Sequence, residues 1–205
     1  PFGITYEGQN ERVLMPLTLH GSGTAKAIDV DVTIASAQVK SALILAAMNA
    51  HGMSRIRQKV PTRDHTEKML AGFGWPIFVT RSPDGGDEIS VQGQGIVSGL
   101  TGQDLEVPRD PSSAAFAIVA ALIVPGSEVR LPSILLNERR TGLITTLMEM
   151  GADIKTENVR FSGGRNGEKI GDLIVRHSEL EGVTVAASRA PSMIDEYPVL
   201  AVAAA

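Results

Sequence analysis

The sequence contains no cysteine, so neither disulfide bonds nor thiolate chemistry can contribute to its structure or activity. Its 19 lysines and arginines are scattered among 23 acidic residues, and they form no basic stripe of the kind that nucleic-acid-binding proteins carry. No apolar run approaches the roughly 18 residues of a membrane span. The remaining composition, 43% hydrophobic and 20% charged, is ordinary for a soluble globular protein. Local arginines could still bind small anions.

The ends of the chain also lack features. The start, PFGITYEGQN, has neither an initiator Met nor a signal-peptide pattern. The end, VLAVAAA, lacks the cap, glycine or charge that usually terminates a helix. We therefore expect the chain to be a segment of a longer polypeptide.

What the sequence does contain is an internal repeat with a spacing of roughly 75 residues. SAQVKSALILAAMNAHG (36–52) parallels DPSSAAFAIVAALIVPG (110–126), and TRDHTEKMLAGFG (62–74) parallels ERRTGLITTLMEMG (138–151). A third copy begins within GVTVAASRAPSMIDEYPVLAVAAA (182–205). Aligning the alanine pairs puts Asp195 in the opening turn of the repeated helix.

The pattern within one copy predicts a strand, an apolar helix, a strand, an amphipathic helix and two strands, which is a βαβαββ unit. The apolar helices, at about 37–50 and 112–124, are expected to be buried on most faces. Asp64 and Glu67 fit a capping box, Gly74 and Gly151 fit helix stops, and PDGG and GGRNG fit hairpin turns. We predict an α/β fold with domains at 1–108 and 109–205, joined near the proline-rich VPRDPSS (107–113).

The candidate sites each have two interpretations. In ASAQ (35–38), Ser36 could simply cap a helix, or the helix N-terminus could bind an anion or hydroxyl. Taken alone, Arg63 is a surface arginine. In IDE (194–196), Asp195 could be a helix cap beside a solvated Glu196, or a carboxylate held for general acid–base chemistry. Gly93-x-Gly95 fits a strand-end turn better than a dinucleotide-binding loop.

Several segments together resemble a known family. ASAQVKSALILAA, TRDHTEKMLAGFG, DPSSAAFAIVAALIVPGSEV, RRTGLITTLMEMGADI and APSMIDEYPVLAVAAA closely resemble the EPSP synthases (3-phosphoshikimate 1-carboxyvinyltransferases) of the class II branch. The resemblance implies two domains built from six βαβαββ copies, with the active site between them. It also implies transfer of the enolpyruvyl group of phosphoenolpyruvate to the 5-hydroxyl of shikimate 3-phosphate, which releases phosphate in the shikimate pathway to aromatic amino acids.

The resemblance implies roles for particular residues. Ser36, Gln38 and the Ala37 backbone correspond to the turn that binds the shikimate phosphate, and Gln38 could also touch phosphoenolpyruvate. Arg63 corresponds to an arginine that contacts the same phosphate. Asp195 corresponds to the aspartate that hydrogen-bonds the ring hydroxyl and accepts its proton. Glu196 receives no role, and we expect it to be solvated. The implied enzyme needs no cofactor or metal, and it is a cytoplasmic monomer that contacts neither nucleic acid nor membrane.

The sequence also departs from the family pattern. It lacks the GSKS-type and KESDR-type motifs that supply further substrate contacts, so we expect the isolated segment to be inactive. Arg109 stands where the family pattern has glycine. Two alternatives stay open: the related transferase that acts on UDP-N-acetylglucosamine, and a non-catalytic α/β repeat protein that binds a phosphorylated metabolite. A reactive cysteine loop and the absence of KESDR in flanking sequence would favour the first of these.

Overall fold

The computed structural model describes residues 2–9, 14–21, 23–93, 99–162 and 167–205. The chain divides into two compact units, the first formed by Pro1–Pro61 with His65–Gly102 and the second by Thr62–Asp64 with Gln103–Ala205. The main division lies between residues 102 and 103. The domain bounds 1–108 and 109–205, with the first as part of the domain that binds shikimate phosphate, stay a prediction. Within the described ranges, no helix combines the length and the apolarity needed to cross a membrane.

The first unit contains one complete βαβαββ copy, as the repeat predicted. It runs through β3 (Asp29–Val32), α1 (Ala37–Met48), β4 (Met53–Gln58), α2 (His65–Gly72), β5 (Ile77–Arg81) and β6 (Asp87–Gln92). The strands form a sheet in the order β3-β4-β6-β5, in which only the β3–β4 pair is parallel. A separate antiparallel hairpin, β1 (Thr5–Gln9) and β2 (Leu14–His20), precedes this copy.

The core of the first unit lies between one face of this sheet and the two helices. Burial alternates along β4 and β6, as expected for strands with one covered face. Ile56 and Ile89 pack from the sheet against Ile44 of α1 and Leu70 of α2. The burial expected of α1 is incomplete, because its side chains Val39 and Leu45 are 42% and 50% exposed.

The second unit repeats this topology with a shortened beginning. Its elements are α3 (Pro111–Ile123), β7 (Glu128–Leu135), α4 (Gly142–Glu149), β8 (Asp153–Phe161) and β9 (Lys169–Arg176), followed by a 3₁₀ helix (Ala187–Ser192) and α5 (Tyr197–Ala203). The sheet order β7-β9-β8 matches β4-β6-β5 of the first unit. The place of β3 is taken by a single parallel bridge between Arg109 and Ile134.

Arg109 fits this bridge although the family pattern has glycine there. Its backbone N–H donates to the Ser133 carbonyl at 3.0 Å, and its carbonyl accepts from the Leu135 N–H at 3.0 Å. Arg109 is not among the residues with positive φ, so its backbone does not need the conformational freedom of glycine. The departure from the family pattern therefore leaves the backbone here undisturbed.

The local signals for helix ends and turns are largely confirmed. α3 begins one residue before its predicted start, and it buries Ala115, Ile118 and Leu122 in the core of the second unit. Gly74 and Gly151, with φ of +83° and +98°, follow α2 and α4 as predicted. The PDGG turn joins β5 to β6 through a hydrogen bond from the Ser82 N–H to the Gly86 carbonyl. Most of GGRNG (163–167) and Gly95 lie outside the described residues.

Candidate functional site

The first candidate group lies at the N-terminus of α1 in the first unit. Ser36 has an extended backbone, and its Oγ accepts a hydrogen bond from the Val39 N–H at 3.3 Å, which confirms that it caps the helix. The Ser36 hydroxyl also lies 3.2 Å from Oε1 of Gln38, whose side chain is exposed. Because the first N–H groups of a helix have no partner within it, this turn can receive an anion.

A buried ion pair lies on the inner side of the same helix. Lys40 is fully buried, and its Nζ lies 2.6 Å from Oε1 of Glu67, whose side chain is 4% exposed. Glu67 was expected to complete a capping box, but its carboxylate is directed to Lys40 instead. The reason is tertiary: an ammonium group on the buried face of α1 needs a counter-charge, and α2 supplies it. The hydroxyls of Ser41 and Thr66 add a 2.7 Å contact between the same two helices.

The second candidate group lies in the second unit and joins Arg63 to Asp195. The Arg63 guanidinium and the Asp195 carboxylate form an ion pair between residues 132 positions apart. The Arg63 side chain is 22% exposed, whereas that of Asp195 is 55% exposed. An exposed carboxylate beside a guanidinium can accept a hydrogen bond or a proton from an incoming hydroxyl, and the guanidinium can hold a phosphate.

The segment that carries Asp195 is fixed by contacts on both sides of it. On its N-terminal side, Arg189 makes a bidentate pair with Glu149 at 2.5 and 2.6 Å and donates to the Thr146 hydroxyl at 3.1 Å. Met193 is fully buried in the core of the second unit. Gly142 allows this close packing, because a Cβ there would lie 2.3 Å from Oγ of Ser192 and 3.1 Å from Cβ of Met193.

Glu196 corrects one prediction. It was expected to be solvated beside Asp195, yet it is only 4% exposed. Its Oε1 accepts a hydrogen bond from the hydroxyl of Ser112, in the first turn of α3. Helix α5 begins at Tyr197, so Asp195 lies just before the helix rather than within its opening turn. Nothing in the local pattern IDE indicates which acid points inward, because the partner of Glu196 lies 84 residues earlier.

The Ser112 side is itself an ordered network. Arg140 Nη2 donates to Oγ of Ser112 and to Oδ1 of Asp110, both at 2.8 Å. Asp110 caps α3 by accepting from the N–H groups of Ser112 and Ser113. Partial burial acts to raise the pKa of Asp110, but the hydrogen bonds from Ser113 and Ser112 and the charge of Arg140 together hold that pKa below its ordinary value.

The structure therefore sorts the predicted site residues into two groups. Ser36, Ala37 and Gln38 lie together at the start of α1 in the first unit. Arg63 and Asp195 lie in contact in the second unit. Sequence reasoning missed Lys40, Glu67 and the buried state of Glu196, all of which depend on partners from another helix.

Comparison with known proteins indicates the family of this chain. All of residues 1–205 match the family model described as EPSP synthase (3-phosphoshikimate 1-carboxyvinyltransferase). A protein of that name from Rhizobium johnstonii is 56% identical over 190 residues, and one from Chelativorans sp. is 57% identical over 190 residues. A solved EPSP synthase from Acinetobacter baumannii superimposes with a TM-score of 0.81 at 38% identity and covers the whole of this chain.

The matches cover only part of each relative. The alignments with the Rhizobium and Chelativorans proteins take in 93% of this chain but 41% of each relative, and the Acinetobacter structure is covered to 44%. The chain thus spans about two fifths of the length of the curated relatives that it matches.

Proposed function

Because the chain belongs to the EPSP synthase (3-phosphoshikimate 1-carboxyvinyltransferase) family, we propose that it forms part of an enzyme that transfers the enolpyruvyl group of phosphoenolpyruvate to the 5-hydroxyl of shikimate 3-phosphate. In this reaction the hydroxyl oxygen adds to C2 of phosphoenolpyruvate while a proton is delivered to C3. The tetrahedral intermediate then loses a proton from C3 and expels phosphate, which leaves an enol ether on the ring.

In this proposal two groups are candidate phosphate-binding groups, as the family resemblance implies. Ser36 and the N–H groups at the start of α1 offer hydrogen-bond donors and the partial positive charge of a helix N-terminus. Arg63 offers a guanidinium that can make two parallel hydrogen bonds to phosphate. Gln38, whose side chain is exposed beside Ser36, would contact either the same phosphate or phosphoenolpyruvate.

Asp195 is proposed to accept the proton of the 5-hydroxyl as its oxygen attacks. Such a base must be accessible to a substrate that enters from solvent, and it must be held in one position. The side chain of Asp195 is 55% exposed, and its neighbours Met193 and Glu196 are both buried, which suits that role. The proposal uses no cofactor or metal.

The observation that supports the proposal most is the contact between Arg63 and Asp195. The resemblance assigns each of these residues a substrate contact without saying that they touch, and they lie 132 positions apart in the chain. Their ion pair brings the proposed phosphate-binding guanidinium and the proposed base together. We also propose that the first unit contributes to the domain that binds shikimate phosphate and the second unit to the other domain, in a full-length enzyme that is a cytoplasmic monomer.

The test is an assay of the complete open reading frame that contains these residues. Incubation with shikimate 3-phosphate and phosphoenolpyruvate should yield the enolpyruvyl ether and phosphate in equal amounts. Phosphorus NMR measures both products. Phosphate release without the ether, or no reaction, would contradict the proposal. A reaction with UDP-N-acetylglucosamine in place of shikimate 3-phosphate would favour the related transferase.

The same assay addresses the isolated 205-residue chain. We expect its turnover to be more than tenfold below that of the complete protein, because the chain lacks the GSKS-type and KESDR-type motifs. Turnover within tenfold of the complete protein would show that these motifs are dispensable.

A further inference from the structure

Glu196 is a buried carboxylate that the proposed reaction does not use. It is 4% exposed and directly follows Asp195 in the chain. Its side chain points into the second unit, where Oε1 accepts a hydrogen bond from the hydroxyl of Ser112. A leucine or methionine at this position could fill the same space without the cost of removing a carboxylate from water. Unlike an apolar side chain, the carboxylate can accept the hydrogen bond from Ser112.

What the acid supplies is a directional connection to a rigid helix end. Arg140 donates to Oγ of Ser112 at 2.8 Å, and the Ser112 hydroxyl donates in turn to Glu196, so the three side chains form one chain of hydrogen bonds. Asp110, which caps α3, accepts from the same Arg140 nitrogen at 2.8 Å. Linked hydrogen bonds of this kind polarise and strengthen each other, and they hold their members in one arrangement.

The consequence reaches Asp195 through the backbone. Met193 is fully buried on one side of Asp195 and Glu196 is tied to Ser112 on the other. The Glu196 N–H also donates to the Met193 carbonyl at 3.0 Å, which closes a tight turn around Asp195. With both ends of the turn fixed, the Asp195 carboxylate is held on the exposed side next to Arg63.

We propose that Glu196 is a positioning residue for Asp195, and that it acts through Ser112 and Arg140. This inference rests on the proposed function, because it assumes that the position of Asp195 matters for turnover. A shift of about 1 Å in a catalytic group can lower a rate by roughly a hundredfold, so a device that fixes the group is chemically meaningful.

The experiment is a double-mutant cycle in the complete open reading frame. Glu196→Ala removes the carboxylate, Ser112→Ala removes the hydroxyl that holds it, and Asp195→Asn removes the group to be positioned. Each variant is made alone, and each of the first two is also combined with Asp195→Asn. The readouts are kcat, KM for shikimate 3-phosphate and the melting temperature.

We expect Glu196→Ala and Ser112→Ala each to lower kcat by tenfold or more with little change in KM, because they displace the base and not the phosphate-binding groups. In the Asp195→Asn background the same changes should lower kcat by less than about twofold. Once the base is absent, displacing residue 195 has no further effect on the reaction. Val175→Ala, which cuts into the core of the second unit at a fully buried position of β9, is the matched control for lost stability. It should lower the melting temperature but leave kcat within about twofold.

An unchanged kcat, or an equal loss in both backgrounds, would overturn the positioning role and leave Glu196 as a structural residue. If Glu196→Ala does not fold, Ser112→Ala decides the question on the same criteria. A wild-type protein without activity would remove the proposed function, and the positioning role with it. An active wild type with unaffected variants would remove the positioning role alone.

Discussion

The buried Lys40–Glu67 pair gives the sharpest stability prediction for this fold. Lys40→Met keeps most of the volume of the lysine stem but leaves the Glu67 carboxylate in the core without its 2.6 Å partner. Oε2 of Glu67 is already buried without a hydrogen bond within the described part of the chain. The carboxylate would therefore lose its ion-pair partner with no hydrogen bond at Oε2 to compensate. Glu67→Gln creates the converse situation, in which the Lys40 ammonium loses its counter-charge.

The expected magnitude follows from the burial of both groups. Removing one member of a buried ion pair costs about 3–5 kcal/mol, because the other charge remains in a poorly hydrated site. That is a large share of the roughly 5–15 kcal/mol that stabilises a typical domain. Replacing both residues, as in Lys40→Met/Glu67→Leu, should instead leave the free energy of unfolding equal to or above that of the wild type, because an apolar pair pays no desolvation penalty.

The chain provides its own probe for this measurement. Trp75 is the only tryptophan, and it lies in the core of the first unit at 9% exposure, so its fluorescence during urea unfolding reports on that unit. Arg55→Met is the matched control, since Arg55 and Asp29 lie 3.9 Å apart and are each 53% exposed. We expect the control to cost less than about 1 kcal/mol. Single variants at Lys40 or Glu67 that cost no more than the control would refute the reasoning, as would a double variant that costs the sum of both.

Two further predictions concern the second unit, and both are measured by far-UV circular dichroism during urea unfolding. Gly142→Ala should lower the free energy of unfolding by about 1–3 kcal/mol, because its Cβ would meet Oγ of Ser192 at 2.3 Å; unchanged stability would contradict this packing. Hydrogen bonds from Arg130, Asn158 and the Ser133 N–H hold the pKa of Asp172 well below its usual range. Its stabilising effect should therefore be complete above about pH 4 and fade as the pH falls further, so the stability difference between the wild type and Asp172→Asn should shrink in acid. A difference that grows in acid would have the wrong sign.

The sequence predicted those parts of the fold that depend on local patterns of residues. The order βαβαββ followed from hydrophobic periodicity and turn residues, and the structure repeats it in the first unit. Gly74 and Gly151 end helices because the positive φ that each adopts favours glycine. The serine cap of α1 could also be predicted from local sequence, because its hydrogen bond joins residues only three positions apart.

The parts that the sequence did not predict depend on partners far along the chain. Glu67 has the spacing of a capping-box residue, but its carboxylate pairs with the buried ammonium of Lys40 instead of capping α2. Asp195 and Glu196 are adjacent acids, and the buried one, Glu196, accepts a hydrogen bond from Ser112, 84 positions earlier in the chain. The contact between Arg63 and Asp195 was not predicted, because no local pattern connects residues 132 positions apart.

The most direct test of the central claim compares turnover and binding in Asp195→Asn, again in the complete open reading frame. Asparagine keeps the size of the side chain and one acceptor oxygen, but it cannot accept a proton as a base. We predict that kcat falls by about a hundredfold or more, as expected for loss of a general base, while the affinity for shikimate 3-phosphate, measured by calorimetry, changes less than about threefold. Unchanged turnover, or equal losses in turnover and binding, would contradict a role for Asp195 as the proton acceptor.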